Sequence, residues 1–245
     1  MPGPLPHLDD AVLSCGGLLT ELSRRGTGLV VATVFTAASG PPWSLPARRF
    51  ASTCEAGDPL ALFGERRAED AAVLAGLGAA VLHLEHVDAL FRRRRLLERS
   101  APVYPTYRFD AGRGRVSRAD AGEAARLDEH LGALVERLEP EVVLAPLGIG
   151  RHVDHLLVRD AARRLAASTG VIVVHYSDFP YCIAATPDAS FVPGLVPHTW
   201  MGGRTDAADL FAGYRTQFLA LFPTGVVPLR PELYWVDSAV AASCA

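Results

Sequence analysis

The chain contains no lysine and no asparagine, so all 24 of its basic residues are arginine. Without lysine there is no Walker P-loop cation, no Schiff-base amine and no Tyr-x-x-x-Lys dehydrogenase pair, which removes three common chemistries of α/β proteins. Both missing residues have A-rich codons, the pattern expected of a GC-rich bacterial genome. Cysteine is sparse: Cys15, Cys54, Cys182 and Cys244 are widely spaced, form no Cys-x-x-Cys pair and suggest no disulfide framework, which points to a reducing cytoplasm. The longest apolar run, near Leu29–Ala38, is too short to span a bilayer, and residues 1–6 have neither a basic n-region nor an apolar core. The expectation is a chain without signal peptide or membrane partner. A net charge of −3 offers no electrostatic case for nucleic acid.

What is present is 245 residues, 49% hydrophobic and 21% charged, the balance of a folded globular protein and a length that suits one large domain over residues 1–245. The elements alternate in the manner of a parallel α/β domain. A helix is expected over residues 10–25, then a strand at Leu29–Phe35 whose lack of polar alternation marks burial on both faces. A proline-rich loop through Pro41, Pro42 and Pro46 leads to a helix near 65–77, a short strand at Ala80–Leu84 and an irregular stretch over 85–115. Ser117 and Asp120 resemble a capping pair for a helix ending near residue 138. A strand at Val142–Ala145, a helix from His152 to near residue 167, and a strand at Val171–Val174 follow. A long loop over 179–204 and a late helix over 207–221 complete the pattern. A strand should also precede His7, where only Gly3-Pro4-Leu5 is available, so it is expected to be very short or cut by a misplaced start.

Two polar motifs fall just after the carboxyl ends of strands, the edge of an open α/β sheet where ligands bind. The first is Pro6-His7-Leu8-Asp9-Asp10, at the mouth of the first helix. The second is His152-Val153-Asp154-His155, whose histidines are three apart and share one helical face. Catalytic zinc usually takes about three imidazole or carboxylate ligands and leaves a position for water. His7, Asp10 and His155 meet that count. Each motif has a plainer reading: Asp9 and Asp10 as caps of a helix N-terminus, His152 and His155 as a polar first turn. Their placement on one sheet edge favours a shared site. His83 and His86 also stand three apart, but His83 falls inside a strand pattern and no second metal site is expected. The run Arg92–Arg95 reads as a solvated loop rather than a patch for an acidic partner.

Together the two motifs resemble those of the N-acetylglucosaminyl-phosphatidylinositol de-N-acetylase family, also called PIG-L or LmbE-like, zinc-dependent hydrolases of acetamido sugars. The resemblance extends through Arg66-Arg67-Ala68-Glu69, Asp88 within His86-Val87-Asp88-Ala89, Tyr176-Ser177-Asp178-Phe179-Pro180-Tyr181 and Tyr214-Arg215-Thr216-Gln217. It implies a single Rossmann-like α/β domain, with a mostly parallel central sheet flanked by helices and one Zn²⁺ at the carboxyl edge of the strands. The implied ligands are His7, Asp10 and His155, with Asp9 as general base and His152 aiding the oxyanion or the leaving amine. Asp154 suits the orienting of one of these imidazoles through its N–H, as carboxylates behind metal ligands do. Arg66, Asp88 and Asp178 are the candidates for sugar binding. Two positions depart from the pattern. Ala11 stands where the commonest family motif has Glu, and Gly150 where some members place a Tyr that assists the carbonyl oxygen, so oxyanion stabilisation is expected to rest on zinc and His152.

The expected activity is removal of an acyl group, with acetyl the first expectation, from an amino sugar or similar small polar amide. A natural-product or small-thiol pathway would suit it. Cleavage of a thiol-conjugate amide is the enzymatic alternative. A noncatalytic metal- or sugar-binding protein is the other, disfavoured by the retention of Asp9 and His152, neither of which zinc binding requires. The sequence leaves open which small molecule is the substrate, which divalent ion is native and whether the chain oligomerises.

Overall fold

A strand buried on both faces needs a helical layer on each side, and the apolar run after Leu29 has both. The computed structural model describes residues 2–97, 99–107, 111–202 and 204–243. In chain order the first half comprises β1 (Pro2–Leu5), α1 (Asp10–Arg24), β2 (Val30–Ala37), α2 (Leu45–Thr53), α3 (Pro59–Gly76), β3 (Ala80–Val87), β4 (Arg93–Leu96) and β5 (Arg99–Pro102). There follow α4 (Ala121–Leu138), β6 (Val142–Pro146), α5 (Val153–Thr169), β7 (Ile172–Tyr176), β8 (Leu195–Trp200), α6 (Arg204–Phe211), α7 (Arg215–Leu221), β9 (Glu232–Asp237) and α8 (Ser238–Ser243). β2 is buried at every position but its two ends. Val12 and Leu19 of α1, Leu74 of α3 and Phe211 of α6 belong to a core that includes Val31 of β2. On the other side Leu127 and Leu131 of α4, with Leu157, Val158 and Leu165 of α5, pack with Val34 and Phe35.

Strands β1, β2 and β3 are parallel in that order. β6 pairs parallel with β7, and two antiparallel strands complete the order β6-β7-β9-β8. β1 and β6 lie side by side, and the seam between these two strands has no backbone ladder among the described residues. Side chains tie it instead. In the middle of α1 the Gly17 and Leu18 N–H groups donate to the Glu232 carboxylate of β9 at 2.6 and 3.0 Å, and Ser14 Oγ accepts the Phe179 N–H at 3.1 Å.

The departures from the sequence pattern have local causes. α2 forms in what reads as a proline-rich loop because Ser44 caps it, its Oγ accepting the Ala47 N–H, and Pro46 sits in the first turn where a missing N–H costs nothing. α3 starts earlier than expected for the same reason, with Pro59 in its first turn and Asp58 as cap. The irregular stretch over 85–115 contains the antiparallel hairpin β4–β5, the loop over 179–204 contains β8, and the late helix divides around Gly213 into α6 and α7. β9 has no counterpart in the expected pattern, while the short strand before His7 forms and pairs with β2. Cys15, Cys54 and Cys182 are free thiols; Cys244 lies outside the described residues. No helix among the described residues is long and apolar enough to cross a membrane.

α1 and α6 meet at small residues: a Cβ placed on Gly16 would stand 2.9 Å from the Ala207 Cβ and 3.1 Å from its Cα. Backbone cannot yield as a flexible side chain can, so overpacking here costs about 1–3 kcal/mol. Gly16→Val should therefore lower unfolding stability by that amount, read as an earlier urea midpoint at unchanged slope; an unshifted midpoint would contradict the close approach.

Candidate active site

The turn after β1 delivers the first motif. The His7 N–H donates to Asp10 Oδ2 at 2.8 Å and the His7 carbonyl accepts the Asp9 N–H at 3.0 Å, closing a tight loop that holds the imidazole Nδ1 3.3 Å from the same carboxylate. The second motif enters at the start of α5. His152 caps that helix, its Nδ1 accepting the Asp154 N–H at 3.3 Å, so the proton of the neutral ring resides on Nε2. One turn on, His155 Nε2 lies 3.5 Å from Asp10 Oδ2, and Asp154 Oδ2 lies 3.1 Å from His7 Nε2. The three imidazoles have centroids 5.0 to 5.6 Å apart.

Ligand atoms of His7, Asp10 and His155 all fall within 4.8 Å of one another. His155 faces Asp178 Oδ1 through Nδ1 at 2.6 Å, and its buried Nε2 has no hydrogen-bond partner although it faces Asp10. A carboxylate behind each imidazole, with a third between them, is the donor arrangement that suits a divalent cation. An overlapping group, His7, His152 and Asp154, is a poorer ligand set. Asp154 is already committed to Arg92 at 2.6 Å and to the Ala89 N–H at 3.0 Å, and His152 Nδ1 to its cap.

Adjacent carboxylates here behave oppositely. Burial pushes Asp9 up to about 7, against the pull of the Arg66 guanidinium. Burial acts on Asp10 too but is outweighed by His155 and His7, which bring it down to about 2. His152 is pushed down to about 3 by burial, against the attraction of Asp154 and with the other imidazoles adding to the fall, so it is a neutral ring. Burial opposes the charged forms of His7 and His155, yet the surrounding carboxylates raise both. The pocket calls for positive charge between Asp10 and the two rings.

A cavity of about 690 Å³ opens onto this cluster and is lined by His7, Asp9, Asp10 and His152 at its deep end. Asp9 stands at the N-cap position of α1 but makes no cap bond, and its Oδ2 faces Arg66 Nη2 at 3.7 Å. The helix-cap reading of Asp9 therefore fails, whereas His152, read as part of a polar first turn, caps α5 and also lines the cavity. Arg66 comes from α3, is 3% exposed, and lies over the rings of Phe50 and Phe63 with its Nε unpartnered. Asp88 follows β3, accepts the Leu90 N–H and reaches the cavity 3.7 Å from His7 Nε2. Asp178 does not reach it. Fully buried, it takes the Gly148 and Ile149 N–H groups on Oδ2 and His155 on Oδ1, so the sugar contact expected of it is replaced by support for an imidazole.

The family described as PIG-L, GlcNAc-PI de-N-acetylase, matches residues 5–166, a stretch that contains both motifs. The chain belongs to this family. A 2'-N-acetylparomamine deacetylase of Streptomyces fradiae is 32% identical over 185 residues, 72% of this chain and 55% of the relative. The PIG-L chain thus spans about half the length of that relative. Among solved structures, the A40926 pseudoaglycone deacetylase Dbv21 is 26% identical with a TM-score of 0.75, covering 96% of this chain and 95% of that one. The zinc-inhibited form of teicoplanin deacetylase Orf2 shares the fold at 23% identity and a TM-score of 0.77, covering 96% of both chains.

Other residues of the PIG-L protein's site carried no usable signal in the sequence. Arg92, taken with its neighbours for a solvated run, is 5% exposed: it pairs with Asp154 and with Asp120 at 3.2 Å, and lies over Phe35 and Tyr104. The other arginines of the run enter the exposed hairpin β4–β5. His83 and His86 diverge as a three-residue step along a strand requires, His83 to Asp70 of α3 and His86 to Glu123 of α4. Removing one partner of a buried ion pair strands the other, at about 3–5 kcal/mol. Arg92→Met should cost that much in a denaturation experiment, whereas Arg94→Met on the hairpin should change stability by about 0.5 kcal/mol or less.

Proposed function

We propose that the protein is a metal-dependent amidase that removes an N-acyl group, acetyl in the first instance, from an amino sugar. The observation that carries this reading is Asp9, a buried carboxylate in the cavity wall that leaves α1 uncapped and stands next to the three-donor group of His7, Asp10 and His155. In this reading those three residues hold the ion, zinc being the first choice because two imidazoles and a carboxylate suit it. When bound, the ion supplies Lewis acidity to the amide carbonyl and lowers the pKa of a water.

The chain's own residues then divide the remaining work. Asp9 takes a proton from the attacking water and returns it to the amide nitrogen as the C–N bond breaks, a task for which a carboxylate held near neutrality is suited. His152 directs its Nε2–H into the cavity as a neutral donor for the carbonyl oxygen while negative charge develops there. Asp154 and Asp178 fix the two ligand imidazoles from behind. Arg66 and Asp88 are assigned to the sugar hydroxyls, since both line the cavity beside the reacting end. The names of the relatives, deacetylases of an acetylated aminoglycoside precursor and of glycopeptide antibiotics, support an amino-sugar substrate. We further read residues 1–245 as one domain acting in the cytoplasm, consistent with the free thiols.

Two variants test the division of roles. His155→Ala should lose the bound metal by elemental analysis and all amine release with it. Asp9→Ala should keep its metal and lose about 10²–10⁴-fold in kcat on an acetamido sugar. A metal-loaded Asp9→Ala enzyme with parental turnover would end the proposal.

A further inference from the structure

Resting on the deacetylase reading, we infer that the amino sugar accepted here carries an apolar substituent, neutral or acidic at its far end, and is not a polyamine. The metal donors take up only the deep end of the cavity. Beyond it the walls are largely apolar or aromatic, with Leu45 and Phe50 of α2, Leu90, Leu221 of α7, and Tyr107 and Tyr181 among them, and Thr53, Thr106 and Gln217 as uncharged polar side chains between. Leu45, Tyr107 and Leu221 stay 53, 43 and 37% exposed. Large apolar side chains gathered at a cavity mouth are surface that the fold leaves for a ligand to cover.

Charge decides what that covering group is not. The acids lining the cavity among the described residues are Asp9, Asp10 and Asp88, and each already faces Arg66 or His7. The outer cavity carries instead one exposed cation, Arg49, with no carboxylate partner among the described residues. Free ammonium groups on a bound aminoglycoside would meet a guanidinium there and, among the described residues, no unpaired carboxylate in compensation, which disfavours them. An alkyl or aryl group covers the leucines, and an acidic end pairs with Arg49. The volume allows it, since about 690 Å³ lies well inside the range of pockets that enclose drug-sized ligands, roughly 300–1,000 Å³.

The apolar group has two points of attachment open to it, the acyl nitrogen and the anomeric carbon, and the test distinguishes them. Zinc-loaded Asp9→Ala, in which ligands are not consumed, is titrated with octyl N-acetylglucosaminide, N-octanoylglucosamine, N-acetylglucosamine and 2'-N-acetylparomamine, and the KM values of the parent are compared with the same series. One octyl compound should bind about tenfold or more tightly than N-acetylglucosamine, and its identity names the attachment. 2'-N-acetylparomamine should gain nothing over N-acetylglucosamine in the parent sequence, but about fivefold when Arg49→Glu is added. Equal binding of the octyl compounds and N-acetylglucosamine, or preference for the aminoglycoside, overturns the inference. Binding in the expected order with no amine released from any of the compounds by the parent overturns the deacetylase reading alone.

Discussion

The contact on which the site depends is His7 Nε2 against Asp154 Oδ2, 3.1 Å apart and 147 positions apart in sequence. It crosses the seam between β1 and β6, where no ladder joins the two groups of strands. In a continuous sheet, backbone hydrogen bonds would hold that seam. Here side chains do so: Asp10 faces His155, Asp154 accepts the Ala89 N–H from beyond β3, and Glu232 accepts two N–H groups of α1. His7, Asp10 and His155, the group that could hold an ion, are therefore also part of what holds the strands in relative position. In such an arrangement metal binding would be coupled to stability, because an ion bound only by the folded chain stabilises it by an amount that grows with the logarithm of its concentration over the dissociation constant.

Burying this many acids together is costly unless each is answered. Asp154, fully buried, is answered by Arg92 and His7; Asp178, equally buried, by His155 and two backbone N–H groups. Asp10 has two imidazoles. Asp9 faces Arg66 at a longer 3.7 Å, and burial raises its affinity for a proton to near neutrality, as burial also raises that of Asp88. Two neighbouring acids pushed apart in this way, one held ionised and one able to exchange a proton, are the usual sign of a division between binding and acid–base work. The division arises from position alone: Asp10 lies between the rings, Asp9 on the side of the cavity.

The parts of this architecture written in local pattern were readable from the chain. An unbroken apolar run gave β2, the periodicity after Asp10 gave α1, and the two histidine motifs were recognisable because strand-to-helix turns place their residues within a few positions of one another. What escaped was set by partners far away in sequence. β9 is a strand because β7 and β8 flank it, and nothing in Glu232–Asp237 announces an antiparallel insertion. Arg92 belongs to a run of four arginines, and only the third dimension separates the one that enters the interior from those that enter the hairpin. Asp178 sits at a strand's carboxyl edge, as a ligand-binding residue should, but the backbone N–H groups of Gly148 and Ile149 reach it first.

The same contrast divides chemistry from specificity. The deep end of the cavity is made from the turns after β1 and β3 and the start of α5, each set by a few neighbouring residues, so its residue types can be inferred from short motifs. The outer walls come from α2, α7 and the segments around Tyr107 and Tyr181, each attached to the sheet through longer connections whose course depends on packing. α7 illustrates the point. Its Thr216 donates to Glu69 of α3, while Tyr214, just before it, donates to Asp70, so the angle at which Leu221 meets the cavity is fixed by two acids on a helix some 140 positions earlier. A change in that clamp would reshape the outer wall without touching Asp9, His152 or the cation donors. The shape of the outer wall can thus change while the deep end of the cavity stays the same.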